Sequence, residues 1–128
     1  MPPAPAQPVP VPRQRFRFIQ IDPSRYATLE QVESLVEPAY KRAEAARAGT
    51  QIVLKAGPLD DLDHPGHSSY FIGICYPAGS HPEEKIGERI FDELREECHQ
   101  IRVEMKLPVV EILESHSKYR RLVKDFGF

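Results

Sequence analysis

At 128 residues with 41% hydrophobic content, the chain suffices for one domain with a sizeable core and is too short for two. A formal net charge of -2 gives no global basic field, so a nucleic-acid partner is not expected unless a local patch supplies the attraction. No run approaches the roughly 18 apolar residues that span a bilayer, and the start lacks the basic and apolar regions of a secretion signal, so a soluble protein of the cytoplasm or of an assembled particle such as a virion is expected.

Six of the 13 prolines lie in the first twelve residues. That composition favours extended polyproline II and cannot build a core, so residues 1–14 are read as an arm and 15–128 as the domain. Arg15-Phe16-Arg17-Phe18-Ile19-Gln20-Ile21 alternates polar and apolar residues before Asp22-Pro23 and predicts a strand. Arg13, Arg15 and Arg17 either tether the arm to an acidic partner or simply face solvent.

Thr28 with Gln31 forms a capping box that opens a helix, with Leu29, Val32, Leu35 and Val36 on its apolar face. Pro38 interrupts the pattern, so two short helices or one kinked helix should run to Gly49. Residues 50–56 and 69–76 predict two strands, the second more buried, and Gly73 within it suggests a bulge or a close backbone approach. Tyr70, Phe71 and Tyr76 could stack bases on a sheet, but no basic-glycine signature surrounds them and core packing is the better reading.

Between these strands, Asp60 to His67 gathers three carboxylates and two imidazoles. They follow no recognised ligand spacing, so no metal is expected, and the Pro-Gly content marks an exposed connection. If the loop were catalytic, His64 or His67 would be the base. Ser80 with Glu83 predicts a second capping box, opening a long helix to Lys106 whose apolar face repeats at Ile86, Ile90, Leu94, Cys98, Ile101 and Met105. Its other face carries seven glutamates, which a solvated surface explains. Cys75 and Cys98 are too few and too distant for a disulfide framework, so both are read as reduced core thiols; His99, adjacent to Cys98 on the helix, points elsewhere. Residues 107–113 predict a strand, and Ser117 caps a last helix with Tyr119, Leu122 and Val123. Lys118, Arg120, Arg121 and Lys124 on that helix either clamp phosphate or complement its dipole.

The order β-α(α)-β-β-α-β-α defines an α/β (α+β) fold with a mixed sheet. Two architectures suit it: an acetyltransferase-like core and, as the alternative, a ferredoxin-like sandwich. The stretch from Glu84 to Phe128 resembles the C-terminal half of the GCN5-related N-acetyltransferase family. There a glycine-containing turn opens a long helix, a strand follows, and a final helix ends in Gly-Phe; here Gly127-Phe128 stands roughly forty residues beyond Gly87, a similar spacing. The resemblance implies acetyl-CoA as cofactor, held at Gly87, Glu88 and Arg89, with Tyr119 or His116 assisting proton transfer. It also implies a C-terminally truncated member, without the two strands that usually follow. Where the family has Arg or Gln, Gly, and Gly or Ala, this chain has Glu84, Gly87 and Arg89, and an acidic Glu84 repels pyrophosphate. The expectation is therefore a non-catalytic structural or adaptor component needing no cofactor. It would dock on protein partners through Pro5, Pro8, Pro10, Pro12 and Arg13; an acyl-CoA-dependent N-acetyltransferase is the alternative.

Overall fold

The computed structural model describes residues 13–24, 27–60, 64–79, 81–103, 105–107, 109–110 and 123–128. Its elements are β1 (Arg13–Ile21), α1 (Leu29–Ala46), β2 (Val53–Asp60), β3 (Ser68–Ala78), α2 (Pro82–Gln100), β4 (Met105–Lys106) and β5 (Val109–Val110). A short helical turn follows at 123–126.

The protein is a mixed α/β fold built on one sheet of strand order β2-β3-β1-β4, with β5 also on β1. Every pairing among the described residues is antiparallel, so the parallel neighbours implied by a mixed sheet are not found among them. β1 and β3 pair in unbroken register from Arg13 opposite Ala78 to Ile21 opposite Tyr70. Arg13 and Gln14, read from the sequence as part of the arm, are thus strand residues. Met105 opposes Ile21 and Val109 opposes Arg17, four residues apart on both strands, so β4 and β5 pair with the same edge of β1 in one register. β1 and β3 are the central strands, and the acetyltransferase-like order is not confirmed.

α1 opens with the expected capping box: Thr28 Oγ1 accepts from the Gln31 N–H at 3.3 Å, and Gln31 Oε1 accepts from the Thr28 N–H at 2.8 Å. It runs through Pro38 as one helix. α2 departs from expectation at both ends. His81, not Ser80, is its N-cap, with Nδ1 accepting from the Glu83 N–H at 3.2 Å and Pro82 in the first turn. Its C-terminus comes at Gln100, because Arg102 turns left-handed at φ 59°. The Val103 N–H then reaches the Cys98 carbonyl and the Arg102 N–H the His99 carbonyl, the Schellman closure that satisfies the last free carbonyls. Met105, expected on this helix, is consequently a strand residue.

Both faces of the sheet are covered. On one, Ile19, Ile21, Leu54, Ile72, Ile74 and Tyr76 pack against Val32, Val36, Ala39 and Ala43 of α1 and Ile90, Phe91, Leu94 and Cys98 of α2. On the other, Phe16, Phe18, Phe71 and Cys75 pack with Val123, and Leu59, Phe126 and Phe128 lean on them partly buried. Alternation along β1 explains the two cores: Phe16 and Phe18 face one way, Ile19 and Ile21 the other.

Candidate functional site

Gly87 lies in the second turn of α2, counted from Pro82, and not at the helix start where free N–H groups would meet a phosphate. It is buried, and a Cβ there would stand 2.3 Å from Tyr76 Cγ and 2.8 Å from Tyr76 Cβ. The absent side chain thus lets α2 descend onto the Tyr76 ring, which is a packing role. Glu88, one residue on, is turned to β1. Arg15 Nη1 donates to Glu88 Oε1 at 2.8 Å and to Glu84 Oε1 at 3.0 Å, pinning the first two turns of α2 to the sheet. Arg89 is exposed on the outer side of the helix. Gly87, Glu88 and Arg89 therefore point three ways and do not converge on one ligand.

Two further groups complete this corner. The Arg17 guanidinium lies 3.8 Å from the centroid of the Phe91 ring, a cation–π contact. The Tyr76 hydroxyl is buried, and among the described residues no partner meets its oxygen at hydrogen-bond geometry. Burial raises its pKa, while the Arg15 and Arg17 guanidinium groups oppose the rise. Arg15 and Arg17, read from the sequence as tether or solvent-facing residues, instead brace α2.

Tyr70, Phe71 and Tyr76, the candidate stacking set, are divided by strand alternation. Tyr70 and Tyr76 join the helix-side core, and Phe71 joins the opposite one. The aromatic cluster that does form is Phe16, Phe18 and Phe71 under Phe126 and Phe128. The Phe18 and Phe126 rings stack at 5.8 Å and 22°, and Phe16 meets Phe128 edge-on at 5.7 Å. Gly73 opposite Phe18 makes room: a Cβ there would lie 2.7 Å from Phe18 Cε1 and 2.9 Å from Phe128 Cε2. Of the two readings of Gly73, close approach holds; the unbroken register leaves no bulge. The cap is a closed unit, since Gly127 sits at φ 76°, its N–H bonds the Lys124 carbonyl, and the Phe128 N–H bonds the Val123 carbonyl. This second Schellman closure aims both rings at the sheet. The signals for it, Phe16-x-Phe18 and Phe126-Gly127-Phe128, are present in the sequence, but only strand pairing shows that they meet.

In the loop after β2, the His64 and His67 rings stand 6.4 Å apart, both residues exposed. Among the described residues no group of three or more His, Cys, Asp or Glu side chains could hold a metal ion. Burial pushes the thiols of Cys75 and Cys98 up to about 11, which makes them poor nucleophiles. A cleft of about 230 Å³ between α1 and α2 is lined by Ala39, Ala43, Ile90 and Leu94 below and by Arg42 and Glu97 above. The latter two are ion-paired at 3.0 Å across its mouth. Tyr119, His116, Pro5, Pro8, Pro10 and Pro12 lie outside the described residues, as do Lys118, Arg120 and Arg121. Among the described residues no helix is long and apolar enough to cross a membrane. No protein-family model matches the chain, and no curated protein matches it.

Proposed function

We propose that this protein is a non-catalytic structural or adaptor component of a larger assembly, a virion or another multi-subunit particle, which docks through its proline-rich leading residues. The observation that carries the reading is the use of Gly87. The glycine that an acyl-CoA enzyme would present to pyrophosphate is packed against the Tyr76 ring, and Glu84 and Glu88 beside it are engaged with Arg15. Carboxylates offer a diphosphate no hydrogen-bond donor, and the attraction of a helix start fades within its first turn. Closure of both sheet faces also supports a scaffold, because each layer is occupied in holding the fold.

Calorimetric titration with acetyl-CoA tests this against the N-acetyltransferase alternative. No heat at high ligand is expected; micromolar binding that is reversed by free CoA would sink the adaptor reading. Deletion of residues 1–12, which leaves β1 intact from Arg13, should abolish assembly while thermal unfolding stays unchanged.

A further inference from the structure

We infer that the ring pair Phe126 and Phe128 is the docking surface for residues 1–12 of a second copy of this chain. This rests on the adaptor reading and names its contact. Phe126 and Phe128 bury one side of each ring on the sheet and leave the other partly exposed, as does Leu59 beside them, and Val53, on the same face of β2, is 38% exposed. The two rings are tilted by 39° with centroids 5.9 Å apart, so they present two planes at an angle. Proline-rich segments dock on such aromatic surfaces, because proline rings pack flat on aromatic faces and a chain already extended loses little entropy on binding.

Residues 1–12 have the matching chemistry: apart from Met1 they are six prolines, four alanine or valine residues and one glutamine, with no charged side chain. Chain direction favours a second copy over the same one. β1 runs from Arg13 toward Ile21, so the chain before it starts from the sheet end, whereas Phe126 sits deeper along the sheet, over Phe18 and Phe71. To reach it in the same copy the chain would have to double back through Val9-Pro10-Val11-Pro12, where each residue before a proline is restricted to extended conformations. At ~3.1 Å per residue, twelve residues in polyproline II reach roughly 37 Å, enough to cross to a neighbour.

Sedimentation of the full chain over a concentration series, with a free peptide of residues 1–14 as competitor, tests the inference. The peptide should dissolve the self-association and shift the Phe126 and Phe128 ring resonances. A peptide carrying Pro5→Ala, Pro8→Ala, Pro10→Ala and Pro12→Ala should do neither, and this control leaves the folded protein untouched. Phe128→Leu, which keeps an apolar side chain, should weaken self-association about tenfold, and added salt should change it little because residues 1–12 carry no charged side chain. If assembly needs residues 1–12 but the peptide shifts resonances elsewhere, this docking surface is wrong and the adaptor reading stands. The docking surface falls in the same way if the full chain stays monomeric while its arm captures a foreign protein. If deleting residues 1–12 changes no association at all, both fall.

Discussion

Single atoms decide several of this protein's properties, and Gly87 is the sharpest case. In an exposed helix interior, glycine to alanine stabilises by about 1 kcal/mol. Here the new Cβ would meet the Tyr76 ring root at 2.3 Å, which is not a flexible tip that can swing away. Gly87→Ala should therefore destabilise, by roughly 1–3 kcal/mol in urea unfolding, as overpacked cores do. Stability equal to or above that of the parent would show that α2 can lift without cost. The buried titrating groups give a second residue-scale expectation. Burial raises Cys75 and Cys98 from the ordinary 9.0 to about 11, with Glu97 adding to the rise at Cys98, and burial foremost, with nearby Glu33, Tyr40 and Glu37, raises Tyr70 from 10.0 to about 12. A folded state that holds its protons more tightly than the unfolded chain keeps that stability below the unfolded pKa and loses it as pH rises. Unfolding free energy should thus be flat with respect to these three groups up to about pH 9 and fall from there to about pH 12. In the native state neither thiol should react with an aromatic disulfide at neutral pH. Rapid modification of Cys75 without unfolding would contradict the burial assigned to it.

At the level of elements, the two Schellman closures set where the chain turns, and they differ in one residue. Gly127 takes its left-handed position at no steric cost, whereas Arg102 takes the equivalent place at φ 59° with a full side chain. Arg102→Gly should stabilise the protein by about 0.5–1 kcal/mol by removing that strain, and Gly127→Ala should destabilise it by about 1 kcal/mol and loosen Phe128. Equal and opposite shifts in thermal midpoint are the readout. The same pair shows what could be read from residues alone. The capping box at Thr28, strands over residues 15–21 and 69–76, and the buried stripe of Ile90, Leu94 and Cys98 all follow from local pattern, because periodicity and capping are short-range properties, whereas the strand expected over 50–56 begins only at Val53 and runs on to Asp60. The end of α2 was not legible: Ile101 and Met105 continue the helical spacing, and no glycine or proline marks the stop that Arg102 makes. Nor was the role of Gly87, since a glycine near a helix start reads alike whether a phosphate or a tyrosine ring approaches it. Phe91 escaped notice because it lies beside the apolar stripe, and only the packing of α2 on the sheet shows that it is buried, with Arg17 over its ring.

Over the whole molecule, charge and apolar surface are laid out unevenly. α1 and α2 carry 11 acidic and 5 basic residues, and the rest of the chain carries 8 acidic and 12 basic, so the helical layer is acidic while the net charge stays near zero. Part of that acidity is structural, since Glu84 and Glu88 hold Arg15 and Glu97 holds Arg42. The sheet's other face depends on a cap that meets it chiefly through rings, and this separates the protein into two cores joined by the strands between them. Replacing Phe126 and Phe128 together by serine should uncover Phe16, Phe18 and Phe71 while leaving the helix-side core packed. The expected loss is about 3 kcal/mol, below that of two fully buried phenylalanines because both rings are already partly exposed. Binding of a hydrophobic dye should rise sharply at temperatures where the far-ultraviolet circular dichroism is still that of the parent. Simultaneous loss of helix signal and gain of dye fluorescence would mean that the two cores melt as one, and that the cap is integral to the helical layer rather than a separate cover on the opposite face.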